Sequence, residues 1–79
     1  MTTDELEAHR LRLEHELAEA DRVLTNAEDR LVEAHGLPLG HPARASALEA
    51  ARAAVHYATE DCHALDRELA AINELECVA

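Results

Sequence analysis

The chain has 79 residues and a net charge of −10 at pH 7, with seventeen acidic residues, seven arginines and no lysine. This charge argues against direct binding to a nucleic-acid backbone, and the lack of lysine excludes Schiff-base and P-loop chemistry. A chain of this length has room for one domain, here residues 1–79, and its apolar residues are largely Ala and Leu, with no Phe or Trp, which predicts a thin core.

The first predicted element is a helix over about residues 4–35. Thr2 and Glu5 have the spacing of a capping box, in which each side chain bonds the backbone N–H of the other residue. At the far end Gly36 suits the left-handed position that often closes a helix, and Pro38 cannot continue the helix. Both ends of helix 1 are therefore marked in the sequence.

The loop is predicted over residues 36–41 and a second helix over about residues 42–76. Both glycines and both prolines of the chain lie in or directly after this loop. Helix 2 begins either at Pro42, a favoured first helical residue, or one turn later at Ser46 with Glu49 as a capping pair. Two long unbroken segments around one loop predict an all-α helical hairpin.

A heptad pattern predicts how the two helices pack. Apolar residues alternate at spacings of three and four on each helix, which is typical of an antiparallel coiled coil when the chain folds back on itself. Residues whose numbers sum to about 82 should then face each other, with small residues opposite larger ones. This seam consists of Leu6, Arg10, Leu13, Leu17, Ala20, Leu24, Ala27, Leu31 and Ala34 on helix 1, and Leu48, Ala51, Val55, Ala58, Cys62, Leu65, Leu69, Ile72 and Glu76 on helix 2.

Apolar residues outside the seam predict a further partner. One helix cannot cover so wide an apolar arc, so we expect either a second copy, which would give a homodimeric four-helix bundle, or a different helical protein. The predicted interface residues are Ala50, Ala54, Tyr57, Ala64, Ala71 and Leu75 on helix 2, beside Ala47, and Leu11, Val23 and Val32 on helix 1.

The segment "HYATEDCHAL" holds the only candidate ligand cluster. His56, Glu60 and His63 share one helical face and could bind a divalent transition metal, for which imidazole and carboxylate are suitable ligands. One helix supplies few ligands for a closed site, so two histidines and a glutamate on a solvated surface are the simpler interpretation. We expect no other cofactor.

The cysteines indicate a reducing compartment. Cys62 and Cys77 are separated by roughly 22 Å along one helix at about 1.5 Å per residue, too far to form a disulfide within the chain. A bond between two chains through Cys77 stays open. The acidic N-terminal segment has no apolar signal core, and alanine-rich, lysine-free composition is typical of a GC-rich bacterial gene, so we expect a bacterial, cytoplasmic protein with no membrane segment.

No arrangement of residues predicts catalysis. Ser46 is the only serine and begins a helix, while Cys62 lies beside acidic residues that oppose thiolate formation. We therefore expect an acidic helical-hairpin module for protein–protein interaction, such as an adaptor, a docking protein or a regulator-binding protein. Two alternatives are a metal- or ligand-binding bundle that uses the histidine cluster, and an acidic decoy that masks a basic nucleic-acid-binding surface. The decoy would use the row Glu7, Glu14, Asp21 and Glu28.

Overall fold

Two long helices make up the fold. In the computed structural model, which describes residues 2–78, α1 (Thr3–His35) and α2 (Arg44–Val78) pack against each other as an antiparallel pair joined by a loop over residues 36–43. The molecule measures 60 × 15 × 13 Å. The predicted all-α helical hairpin is confirmed.

The N-terminal cap of α1 forms as the sequence predicts. The backbone N–H of Glu5 donates to the Thr2 Oγ1 at 3.2 Å, and the backbone N–H of Thr2 donates to the Glu5 Oε2 at 3.4 Å. These two bonds satisfy amide groups that the first helical turn leaves without partners, and the acidic side chain complements the helix dipole. Helix α1 therefore begins at Thr3, one residue before the predicted start.

The C-terminal end of α1 differs from the prediction. Gly36 keeps right-handed helical angles, with φ −75° and ψ −11°, and the left-handed conformation expected of it is wrong. The amide of Gly36 donates to the carbonyl of Glu33, and the amide of Leu37 donates to the carbonyl of Ala34. The Gly36 amide also donates to the Val32 carbonyl at 3.1 Å, so helical bonding continues to Gly36 without a reversal of the backbone, and Pro38 then prevents further helix.

Helix α2 begins two residues later than predicted. Pro42 lies in a turn before the helix, where the amide of Arg44 donates to the His41 carbonyl at 3.1 Å. The imidazole Nδ1 of His41 accepts from the amide of Ala43 at 3.0 Å, so a histidine side chain satisfies an amide directly before the helix. The loop consequently extends to residue 43.

The alternative start of α2 at Ser46 is also wrong. Ser46 and Glu49 lie within the helix, because the first bond of α-helical spacing runs from the amide of Ala47 to the carbonyl of Ala43 at 2.9 Å. Ser46 is exposed and precedes no orphan amide that it would cap.

The core lies along the predicted seam. Leu13 is the most deeply buried side chain, with 2% of its surface exposed. All buried residues belong to the seam, and most other seam residues are half-buried, because each helix has only one neighbour. The buried set is Leu13, Ala27, Ala34, Leu48, Ala51, Ala58, Cys62 and Ile72.

Two polar contacts across the helices fix the register. Cys62 donates from Sγ to the Asp21 Oδ1 at 3.4 Å, which matches the predicted pairing within one residue. At the open end, Arg10 Nη1 donates to the Glu76 Oε2 at 2.8 Å, and both side chains are about two-thirds buried. The two polar interruptions of the seam therefore pair with each other.

Neither helix, over residues 2–78, contains a segment long and apolar enough to cross a membrane.

Candidate interaction surface

An apolar surface runs along the length of α2 beside the seam. We call it the α2 stripe, and it consists of Ala47, Ala50, Ala54, Tyr57, Ala64, Ala71 and Leu75. Tyr57 is 69% exposed and Leu75 is 57% exposed, whereas Ala54 is half-buried at the edge of the seam. The stripe is open because α1 covers the neighbouring face of α2 and nothing else within residues 2–78 packs on it. Asp61 and Glu68 interrupt it.

Helix α1 contributes a second row of residues along the same side of the hairpin. We call it the border row, and it consists of His9, Glu16, Val23 and Arg30, which are spaced by seven residues and so share one face of α1, and of Leu37, which follows in the loop. His9, Val23, Arg30 and Leu37 each line a cleft together with residues of the α2 stripe. The α2 stripe and the border row together form one face, the docking face.

One concavity of the docking face lies near the loop. This alanine cleft has a volume of about 350 Å³, and Arg30 and Glu33 are its charged members. Small side chains on both helices leave the space, because alanine at Ala47, Ala50 and Ala54 does not reach across the groove. A second cleft at the open end of the hairpin contains Leu75 and His9. The two ends of the face therefore differ, with a hollow at one and a bulky apolar side chain at the other.

Not all of the predicted interface residues share this face. Val23 lines a cleft with Ala54, as an interface residue should. Val32 is 71% exposed but lies about 180° round α1 from Val23 at about 100° per residue. Leu11 is 57% exposed and lies about 120° round α1 from Val23. The structure brings Val23 to the α2 stripe and places Leu11 and Val32 elsewhere on α1.

The total exposed surface is large for the size of the chain. The solvent-accessible area is 5769 Å², whereas a compact monomer of 8.7 kDa is expected to expose about 4,700 Å². The radius of gyration is 17.8 Å, against about 12 Å for a compact domain of this length. A single layer of two helices therefore exposes roughly 1,000 Å² more surface than a compact chain of the same mass.

The histidine cluster lies on the outer side of α2. His56, Glu60 and His63 are exposed, and the His56 ring meets the Tyr57 ring edge-on with centroids 5.5 Å apart. Over residues 2–78, no group of three or more histidine, cysteine, aspartate or glutamate side chains is arranged to hold a metal ion. The metal site remains a prediction from the spacing alone.

Cys62 lies in a position that opposes reactivity. Burial raises the pKa of its thiol above the ordinary value of 9.0, and the hydrogen bond to Asp21 and the nearby charges of Asp66 and Asp61 raise that pKa further. The thiol is therefore protonated at neutral pH. Sequence reasoning identified Asp61 and missed Asp21, although the predicted register places Asp21 one residue from the position opposite Cys62.

Cys77 is exposed on the outer side of α2, and both cysteines are free. The predicted absence of a disulfide between Cys62 and Cys77 within the chain is confirmed.

The acidic row lies across the seam from the docking face. Its members are Glu7, Glu14, Asp21 and Glu28, and all four are exposed. Within residues 2–78, the only ion pair of the row joins Glu14 to Arg10 at 4.0 Å, and Asp21 accepts from Cys62. The role of this row as a decoy for a basic surface remains a prediction.

Comparisons of the chain with protein-family models, with curated proteins and with solved structures gave no match. A functional proposal for this chain therefore depends on the surfaces described above.

Proposed function

We propose that this protein is an interaction module, an acidic helical hairpin that binds another helical surface through its docking face and has no catalytic activity of its own. The partner is helical because a groove between two helices, lined with small residues, accepts the ridge of a third helix. Adaptor, docking and regulator-binding proteins work in this way.

The observation that supports the proposal is the length of the α2 stripe, in which Tyr57 and Leu75 are exposed although Asp61 and Glu68 interrupt it. Apolar patches of more than a few hundred Å² are rare on monomeric proteins and mark interaction sites. Here the stripe spans almost the whole of α2 and is bordered by clefts at both ends.

The chain offers a matched pair of variants for a test. Leu75 lies on the docking face and Leu11 lies on another face of α1, yet both are 57% exposed. Placing a charge at Leu75 should weaken binding because the carboxylate would be buried against an apolar partner surface. We expect Leu75→Glu to weaken association at least about tenfold and Leu11→Glu to leave it unchanged.

Two measurements test this expectation. One is the molecular mass in solution across a range of concentrations, and the other is the capture of binding partners from the native host on immobilised, untagged protein. Circular dichroism of each variant checks that the helices are intact. The proposal fails if Leu75→Glu and Leu11→Glu behave alike in both assays while both remain helical.

A further inference from the structure

We infer that the docking face binds a second copy of this chain, turned end for end about a two-fold axis at the level of Val23 and Asp61. This inference rests on the proposed function and adds the identity and the register of the partner. In such a dimer α1 packs against α1 of the second copy, and α2 against α2, each pair antiparallel.

The register follows from the symmetry of the docking face. The hydrogen bond between Cys62 and Asp21 places Asp61 within about one residue of the level of Val23. On α1, Glu16 and Arg30 lie seven residues to either side of Val23, about 10.5 Å in each direction. An end-for-end rotation about Val23 therefore brings Glu16 of one copy opposite Arg30 of the second copy, and Arg30 of the first copy opposite Glu16 of the second.

Opposite charges meet in this register. Arg30 has no ion pair within residues 2–78 and lines a cleft with Ala54 of its own chain. Rotation about Asp61 brings Glu68 of the second copy over Ala54, just as rotation about Val23 brings Glu16 of the second copy to Arg30. Each arginine is thus flanked by two carboxylates of the other chain, and the symmetry provides this arrangement twice.

Shapes are complementary as well. Ala47 and Leu75 lie fourteen residues to either side of Asp61, so Leu75 of one copy faces the alanine cleft of the other. Tyr57 and Ala64 exchange levels in the same way, to within about one residue. Large side chains therefore oppose small ones, the matching that ridge-into-groove packing of helices requires.

The other two-fold arrangement is less favourable. An axis along the hairpin would place α1 of one copy over α2 of the other, so that Glu16 faces Glu68 and Arg30 faces Ala54. That arrangement juxtaposes carboxylates twice and leaves both arginines without an anion.

A charge exchange tests both the partner and the register. Arg30→Glu should weaken the homodimer at least about tenfold, because the carboxylate introduced at position 30 then faces Glu16 and Glu68 of the second copy. Glu16→Arg/Glu68→Arg should weaken it to a similar extent. Mixed together, the two variants should form a heterodimer with an affinity within about threefold of the wild-type homodimer, since both contacts are opposite in sign again.

Asp61 supplies an independent arm of the experiment. Its carboxylate meets the same group of the second copy at the axis, so Asp61→Asn should strengthen the dimer several-fold. Asp66 lies on the other flank of α2, and Asp66→Asn is the matched control that should leave the dimer unchanged.

Sedimentation equilibrium of each variant and of the mixture gives the dissociation constants. The inference is overturned by a wild-type chain that stays monomeric at roughly 100 µM, far above a micromolar dissociation constant. It is equally overturned by a dimer that survives Arg30→Glu, or by two variants that do not recover when mixed. In those cases the proposed function is judged separately. It would still hold if the chain captures a different helical partner, and if Leu75→Glu abolishes that capture while Leu11→Glu does not.

Discussion

At the scale of single residues, Cys62 shows how burial in the seam keeps a thiol protonated and unreactive. Its side chain fills a buried seam position between the helices, and its hydrogen-bond partner is the carboxylate of Asp21, to which the thiol donates. A protonated thiol suits this position because it donates a hydrogen bond, whereas a thiolate would face a carboxylate across 3.4 Å. Cys62 therefore acts as a small packing residue.

The raised pKa of Cys62 predicts how stability depends on pH. Above the ordinary pKa of 9.0 the unfolded chain loses the thiol proton while the folded chain retains it. Below pH 9.0 the Cys62 thiol contributes its full stabilisation of the folded state. The free energy of unfolding then falls as the pH rises from 9.0 toward the raised pKa of the folded state. Urea unfolding under reducing conditions between about pH 8 and pH 10 measures the slope.

Two substitutions separate this effect from other titrations. Cys62→Ala removes the group and should flatten the slope, whereas Cys77→Ala, at an exposed position, should leave it as in the wild type. Equal slopes in the wild type and in Cys62→Ala would contradict the assignment of the pH dependence to Cys62.

At the residue scale the sequence predicted which side chains face the seam and not what they contact. The heptad pattern placed Cys62 and Arg10 in the seam, since burial follows from helical periodicity. The partners Asp21 and Glu76 depend on rotamers and on the local separation of the two helices, which periodicity does not specify. Long side chains such as Arg10 reach a partner about one turn from the ideal register.

At the scale of the elements, the two helix starts differ in how directly the neighbouring sequence determines them. The capping box at Thr2 and Glu5 forms because both partners lie within one turn, so the sequence pattern is sufficient. The start of α2 depends instead on His41, whose imidazole accepts from the amide of Ala43. A histidine three residues before a helix is not one of the usual capping signals, so the sequence predicted the start at Pro42 or Ser46.

The two hydroxyl residues should therefore respond differently to replacement by alanine. Thr2→Ala removes a capping side chain and should lower the free energy of unfolding by about 1 kcal/mol. Ser46→Ala should leave stability unchanged or raise it by up to about 0.5 kcal/mol, because Ser46 lies within α2 and alanine has the higher helix propensity. Urea unfolding of the two single variants measures both; a larger loss at Ser46 than at Thr2 would contradict the observed start of α2.

At the scale of the whole molecule, stability should depend on concentration. A 60 Å hairpin with a single layer of two helices buries few side chains completely, and a second copy would cover the docking face of each chain. If folding is linked to the dimerisation inferred above, the melting temperature should rise by about 4 °C for each tenfold increase in protein concentration. Thermal melts followed by circular dichroism at several concentrations measure this shift.

The variant Arg30→Glu is the control for that measurement. The Arg30 side chain belongs to the docking face and makes no ion pair within the described part of the chain, so the substitution should spare the hairpin and remove most of the concentration dependence. A melting temperature that does not vary with concentration in the wild type would show that folding proceeds without a partner.

At this scale the sequence predicted the hairpin from one loop and two heptad patterns, because these fix which faces must meet. It also predicted that apolar surface would be left over. It grouped Val23 with Leu11 and Val32, although the angles of about 120° and 180° between them follow from helical periodicity alone. The structure adds that Val23 lines a cleft with Ala54, and the contact between Cys62 and Asp21 places Asp61 near the level of Val23.

The antiparallel arrangement gives the molecule two distinct poles. The helix start at Thr3 and the end of α2 near Cys77 lie at one pole, where Arg10 bridges to Glu76, and the loop forms the other pole at the far end of the 60 Å axis. A Cβ atom at Gly40 in that loop would meet nothing within 4 Å. A reporter or surface tether inserted at Gly40 would therefore stand at the opposite pole from labels near Thr3 or Cys77, separated from them by most of the 60 Å length of the hairpin.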